Sequence, residues 1–100
     1  MKYIRLSADG PVICLFKVPD SVAENLSNYC LEFENRFDSE PKYENKRRNG
    51  YNPVNEFINY LVSEVNTQWL HEIELVNTYI WGLDDEDISE EYRNSPWFNF

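Results

Sequence analysis

Apolar and β-branched residues alternate near the start of the chain and predict two β-strands. The runs 3–7 and 12–18 are rich in such residues, and the pair Asp9-Gly10 separates them. An Asp-Gly pair between two β-rich runs is a strong signal for a hairpin turn. Both faces of the second run carry apolar side chains: Val12, Cys14, Phe16 and Val18 on one face, and Ile13 and Leu15 on the other. We therefore predict an N-terminal β-hairpin whose second strand is covered on both faces.

The apolar pattern then changes to steps of three and four residues, which is the period of a helix. Ser21, with Glu24 three residues later, forms a capping-box pattern after Pro19. One face collects the apolar side chains Val22, Leu26, Tyr29, Cys30, Phe33 and Phe37. This spacing predicts an amphipathic helix of about 17 residues that ends before Pro41.

The segment 40–53 has no apolar period and holds four of the nine basic residues. Bounded by Pro41 and by Asn49-Gly50, it is predicted to be an exposed loop. At its end, Asn52 is placed to cap a second helix with Pro53 at the first helical position. The apolar stripe of that helix consists of Val54, Phe57, Ile58, Leu61, Val62 and Val65.

The stretch 69–81 fits two periods. A strand gives one mostly apolar face, with Trp69, His71, Ile73, Leu75, Asn77, Tyr79 and Trp81. A helix instead continues the preceding stripe through Trp69, Ile73, Val76, Ile80 and Leu83. The β-branched and aromatic residues of 73–81 favour the strand, and Asn66-Thr67 is a weak place to prolong a helix.

The favoured elements combine into an α+β fold. The hairpin and the later strand form a small antiparallel sheet that is packed by two amphipathic helices. Asp87 and Glu90 form a further capping pattern, which predicts a short helical turn over 88–93 before Pro96. The alternative is a mostly α protein with one long helix of about 53–83 and the same hairpin. Either fold makes residues 1–100 a single domain.

Composition narrows the function classes. The chain is 42% hydrophobic and 16% aromatic, as expected of a packed globular protein. Its net charge of −9 argues against general binding to a phosphate backbone, so nucleic acid is not the expected partner. The same charge favours solubility, a basic protein partner or mimicry of nucleic acid. No apolar stretch is long enough for a membrane span or a secretory signal, so we expect a cytoplasmic protein.

The residues of ordinary catalytic and metal sites are sparse. Cys14 and Cys30 are not in a Cys-x-x-Cys pattern and are interpreted as buried free thiols, with a disulfide or a reactive thiol as alternatives. His71 is the single histidine and is interpreted as a structural residue on the apolar strand face. The glycines are isolated, so no phosphate cradle is expected. We expect no cofactor, no metal and no catalytic residues.

Two segments are candidates for partner binding. The first is acidic and has aromatic anchors: Asp84, Asp85, Glu86, Asp87, Glu90, Glu91, Tyr92, Trp97 and Phe98. Six of the eighteen acids lie within its first eight residues, and buried aromatic rings commonly supply most of the binding energy. The second is the basic run Lys46, Arg47 and Arg48, which suits an acidic protein surface, nucleic acid or simple solvation.

The leading hypothesis is a non-catalytic interaction protein that binds or occludes a basic protein partner. Its profile is similar in kind to bacterial immunity, antitoxin and phage inhibitor proteins, a resemblance of composition that carries no residue across. The alternatives are a structural or homodimerising domain and a small carboxylate-dependent enzyme. The terminal residues Pro-Trp-Phe-Asn-Phe are expected to pack onto the domain itself or onto a neighbour, because burial of large apolar side chains is favourable.

Overall fold

The computed structural model describes residues 1–84 and 88–100, which form a mixed β-sheet packed by helices. The strands are β1 (Lys2–Ser7), β2 (Val12–Val18), β3 (Glu74–Ile80) and β4 (Trp97–Asn99). The helices are α1 (Asp20–Glu24), α2 (Leu26–Ser39), α3 (Glu44–Asn49), α4 (Pro53–Tyr60) and α5 (Glu90–Arg93). The α+β class is confirmed. The sheet has the order β3-β2-β1-β4, and its fourth strand runs parallel to β1, so it is not purely antiparallel.

The N-terminal hairpin is confirmed. β1 pairs with β2 in an antiparallel register that places Ile4 opposite Phe16. In the turn Asp9 has φ 44°, a left-handed conformation that aspartate tolerates better than most residues. β2 is covered on both faces, since Phe16 lies in the main core and Ile13 lies in a second cluster with Tyr79.

The first predicted helix is interrupted at Asn25. Its backbone at φ −124° and ψ 29° leaves helical geometry, and its side-chain amide donates a 3.0 Å hydrogen bond to the carbonyl of Ser21. Asparagine competes in this way with the helical hydrogen bonds of the backbone, so the continuous helix divides into α1 and α2. The predicted capping box is also wrong. Pro19 occupies the N-cap without a side-chain bond, and Glu24 instead binds Lys2 at 3.0 Å.

The prediction of a loop over 40–53 is wrong for most of that segment. A 3₁₀ turn (Pro41–Tyr43) leads into α3, although most of these residues are exposed as expected and none is buried. Two tyrosine rings hold the segment against Phe37, with centroid distances of 4.9 Å for Tyr43 and 4.4 Å for Tyr51. The sequence of α3 shows no helical period of apolar residues because this helix has no buried face.

The second helix begins as predicted. The Asn52 side chain accepts hydrogen bonds from the backbone N–H groups of Val54 and Asn55, at 3.0 and 3.3 Å, and Pro53 opens α4. The helix widens into a π-turn (Leu61–Val65) and stops at Asn66, whose side chain caps a 3₁₀ turn (Thr67–His71). The single long helix over about 53–83 is therefore wrong.

The favoured strand is confirmed in a shorter form. β3 begins at Glu74, so Trp69 and His71 lie before it and not on its face. Trp69 is buried in the main core, whereas His71 is exposed at the end of the 3₁₀ turn. The interpretation of His71 as a structural residue on an apolar strand face is therefore wrong.

The main core lies between the sheet and the helices and is rich in aromatic rings. Phe33 of α2 is at its centre, with ring centroids 5.7 Å from Phe57 and 5.5 Å from Tyr60. The sheet contributes the buried residues Ile4, Leu6, Phe16 and Val18. The opposite face of the sheet is covered by Ile88 and Tyr92 from the C-terminal part of the chain.

The C-terminal residues pair with β1 and pack against the main core. The backbone N–H of Arg5 donates to the carbonyl of Pro96 at 2.7 Å, and the N–H of Phe100 donates to the carbonyl of Ser7 at 2.8 Å. Phe98 packs against the main core, and the Phe100 ring lies 5.9 Å from Phe33. The terminal segment therefore packs on its own chain. The predicted helical turn appears as α5, with Ser89 at the N-cap, while the proposed cap Asp87 lies outside the described residues.

We expect Arg47→Ala to lower the free energy of unfolding by about 1.5–3 kcal/mol, because its guanidinium donates to the carbonyls of Phe37 and Glu40 at the end of α2. Arg48→Ala is the matched control on the same helix. Arg48 pairs with the exposed Glu44, and such a pair contributes little. Urea denaturation followed by circular dichroism measures both variants. Equal stabilities would contradict the role assigned to Arg47.

Phe98→Ala is expected to lower the free energy of unfolding by about 2–3 kcal/mol, less than for a fully buried phenylalanine because the ring is half-buried. The control is Leu83→Ala, since Leu83 is 80% exposed and should leave stability unchanged. Thermal and urea denaturation measure the difference. An unchanged Phe98→Ala variant would mean that β4 does not contribute to the core.

Candidate functional site

Two tryptophan side chains form the largest exposed aromatic contact on the described part of the chain. Trp81 is 56% exposed and Trp97 is 43% exposed, and their ring centroids are 6.2 Å apart. Trp81 follows β3, and its backbone N–H donates to the carbonyl of Pro11 at 2.8 Å. Trp97 opens β4 opposite Arg5. We call Trp81 and Trp97 the tryptophan pair.

The Trp97 side chain is held in place by buried polar contacts. Its indole N–H donates to the Ser7 hydroxyl at 2.9 Å, and that hydroxyl donates to the side chain of Asn99 at 2.9 Å. Ser7 is 1% exposed, so the hydroxyl that links these two bonds is buried. The Arg5 guanidinium lies 5.3 Å from the Trp97 ring centroid and is itself fixed by the carbonyl of Ser95. The ring therefore loses little conformational freedom when a partner covers it.

Carboxylates lie between the two tryptophans along the chain. Glu90 and Glu91 are exposed in the first turn of α5. Asp84 is half-buried, and its carboxylate accepts a 2.9 Å hydrogen bond from the backbone N–H of Ile80. Asp85, Glu86 and Asp87 lie outside the described residues.

The other two proposed anchors face the protein more than the solvent. Phe98 is half-buried and lies 4.9 Å from Phe100, centroid to centroid, against the main core. Tyr92 is half-buried with its ring 4.7 Å from Tyr3, and the interaction with Tyr3 raises the pKa of Tyr92. Of the three predicted anchors, only Trp97 presents a large exposed ring.

Sequence reasoning missed Trp81 and Leu83 as surface residues. It placed Trp81 on the apolar face of the strand, although β3 has already ended there and Gly82 turns the chain with φ 87°. A usable signal was present. Trp81 precedes the acidic segment and Trp97 follows it, so a loop that brings its own ends together would also bring the two rings together.

The free edge of β3 is blocked along much of its length. Val76 has no partner in the register with β2, which marks a bulge. Beyond the bulge, the backbone N–H of Thr78 binds the side chain of Asn77 at 2.9 Å, and that of Ile80 binds Asp84. Side chains that occupy edge amides oppose pairing with a further strand. A partner is therefore better accommodated by side-chain docking than by strand addition.

The basic run has internal contacts. Lys46 pairs with Glu56 at 2.7 Å and Arg48 pairs with Glu44 at 2.8 Å. Arg47 donates to the carbonyls at the end of α2 and is more enclosed than its neighbours. The Arg48 pair is exposed and therefore weak, so Arg48 remains available to a ligand. Glu56 is only 14% exposed, so Lys46 is held more firmly, and use of Arg47 would remove a helix cap.

Both cysteines are free thiols. Cys30 is fully buried on α2, and burial raises its pKa, with a smaller contribution from Glu34. Cys14 is half-buried, and burial raises its pKa as well. A raised pKa reduces the thiolate fraction at neutral pH, which lowers nucleophilic reactivity.

Within the described residues, 1–84 and 88–100, no group of three or more histidine, cysteine, aspartate or glutamate side chains is arranged to hold a metal ion. None of the helices in these ranges combines the length and the apolar character that a membrane span requires.

Comparison with known proteins identified no relative. No protein-family model matches the chain, and neither the curated proteins nor the solved structures gave a significant match. The function is therefore inferred from the geometry and the charge of this chain alone.

Proposed function

We propose that this chain is a small non-catalytic interaction protein that binds a basic protein partner through the tryptophan pair and the carboxylates of residues 84–91. The observation that carries the proposal is the exposed contact between Trp81 and Trp97, which flank an acid-rich segment in the sequence of a chain with a net charge of −9. A large exposed aromatic contact next to charged residues is typical of a protein-binding surface.

The two groups serve different steps of binding. Indole rings bury a large apolar area and also attract lysine and arginine side chains, so the tryptophan pair supplies most of the affinity. The carboxylates accelerate the encounter with a positive surface and reject acidic proteins. If the positive surface of the partner is itself a nucleic-acid site, binding occludes it, as an inhibitor or immunity protein would.

The competing proposal is a homodimer formed by the same rings. The exposed tryptophan pair also suits self-association, since a twofold interface buries the same patch on both copies. The net charge of −9 opposes it, because two copies bring like-charged acidic segments together. Sedimentation velocity at micromolar concentration separates the two proposals. We expect a monomer, and a dimer that dissociates in Trp81→Ala would favour self-association.

Trp81→Ala and Trp97→Ala are each expected to weaken partner binding by at least about tenfold, because each removes a ring from the centre of the surface. The exposed Leu70→Ala is the control, since Leu70 is 63% exposed and lies outside the tryptophan pair. Captured proteins from the source cells are identified by mass spectrometry, and each purified candidate is then titrated by calorimetry. A partner that binds all variants equally would contradict the assignment.

Point substitutions are required here, because deletion of the terminal segment would also remove β4 and part of the core.

Glu90→Lys with Glu91→Lys is expected to reduce the association rate for that partner by about tenfold and to leave the dissociation rate nearly unchanged, because both side chains are exposed and act at long range. Raising the salt concentration should reduce the association rate of the unmodified protein in the same way. Stopped-flow mixing measures both rates. An association rate independent of salt would show that the acidity of this segment does not guide binding.

A further inference from the structure

A small cavity opens on the helix-covered side of the molecule, and no residue of the tryptophan pair belongs to it. Its volume is about 140 Å³. Its lining residues come from the hairpin turn, α2, the start of α4 and the C-terminal end: Asp9, Phe33, Glu34, Phe37, Asp38, Tyr51, Pro53 and Phe100. With about 30 Å³ of liquid volume per water, the cavity has room for a group of a few heavy atoms.

Aromatic rings form the walls of this cavity. The centroids of Phe37 and Tyr51 are 4.4 Å apart, and those of Phe33 and Phe37 are 5.4 Å apart. Phe100 meets Phe33 nearly at right angles, with an interplanar angle of 84°. Phe33 and Phe37 are each only 2% exposed, so Tyr51, which is 45% exposed, and the half-buried Phe100 offer most of the ring surface to a ligand. The face of an aromatic ring carries negative electrostatic potential.

The carboxylates of the cavity lack a basic partner. Within residues 1–84 and 88–100, no nitrogen of a basic side chain or of the N-terminus lies within 4.0 Å of the carboxylates of Asp9, Glu34 or Asp38. Acids nearby on the same side are paired, as in Glu40 with Arg36 at 2.7 Å. None of the three carboxylates that line the cavity is therefore held in an ion pair, although the Arg47 guanidinium lies nearby on the carbonyl of Phe37.

The aromatic rings and the unpaired carboxylates of the cavity together favour one class of ligand. A metal ion prefers oxygen ligands on several sides, whereas most of these walls are rings and a proline. A neutral apolar molecule would gain nothing from the carboxylates. An organic cation is attracted both by the faces of the rings and by the carboxylates, as in the aromatic cages that hold methylated ammonium groups.

We propose that this cavity binds an organic cation: an ammonium, methylated ammonium or guanidinium group. The cation is either a free amine or the end of a lysine or arginine side chain on a peptide. The proposal does not depend on the tryptophan pair and holds whether or not that surface binds a partner.

The first experiment compares choline with its uncharged isostere 3,3-dimethylbutan-1-ol, by titration of the full chain followed with amide NMR shifts. Choline is expected to cause saturable shifts at Glu34, Tyr51 and Phe100 and to bind at least about tenfold more tightly than the isostere. Failure to saturate at about 0.1 M choline, or equal binding of the isostere, would overturn the proposal.

The second experiment removes each feature separately. Glu34→Gln with Asp38→Asn removes the charge, and Tyr51→Leu removes a ring while keeping an apolar side chain. Each is expected to weaken choline binding by at least about tenfold. Glu32→Gln is the matched control, since Glu32 is an exposed acid on the same helix and does not line the cavity. Unchanged affinity in both test variants would overturn the proposal.

Two further arms identify the source of the cation and separate this site from the tryptophan surface. Blocked lysine, blocked trimethyl-lysine and blocked arginine are titrated beside choline, and tighter binding of the blocked amino acids indicates a peptide side chain. Trp81→Ala should bind choline as the unmodified protein does. Because the Tyr51 ring also packs on Phe37, the amide spectrum of Tyr51→Leu is first compared with that of the unmodified protein, and its choline affinity is used only if the fold is intact.

Discussion

The parallel pairing of β4 with β1 is the contact on which most of the structure depends. It joins residues about ninety positions apart, as in the bond from Trp97 to Ser7. Because successive side chains of a strand point to opposite faces, this single pairing sends Phe98 into the main core and leaves Trp97 on the other face. The strand thus ties the packing of the core to the presentation of an exposed ring.

The distribution of charge has a similar structural origin. Arg36, Lys42 and Lys46 form ion pairs with acids around α2, α3 and α4, where they hold the helical segments together. With half as many bases as acids in the chain, this use of the cations leaves other acids without partners. The acidic segment and the carboxylates of the cavity are two such places. The excess of acids over bases therefore has two effects. The few basic residues stabilise the helical segments, and the acids left without a basic partner make the acidic segment and the cavity negative.

Elements with a local signature were predictable. The Asp9-Gly10 turn and the Asn52 cap depend on residues within a few positions of each other, and both are present. The strand after residue 73 was correctly favoured over a helix because of the β-branched and aromatic residues of 73–81. Errors arose where a side chain competes with the backbone, as Asn25 does, or where a segment is held by rings from elsewhere, as α3 is.

The sequence by itself determined the class of the protein: a single acidic α+β domain with excess aromatic residues and two amphipathic helical stripes. Tertiary structure alone decided which aromatic residues are exposed, how the terminal strand pairs and where unpaired carboxylates meet rings. The physical reason is distance along the chain. Periodicity and capping depend on residues close together in the sequence. Distant segments form the contact of Trp81 with Trp97 and the cavity lined by Asp9, Tyr51 and Phe100, so neither feature leaves a local pattern in the sequence.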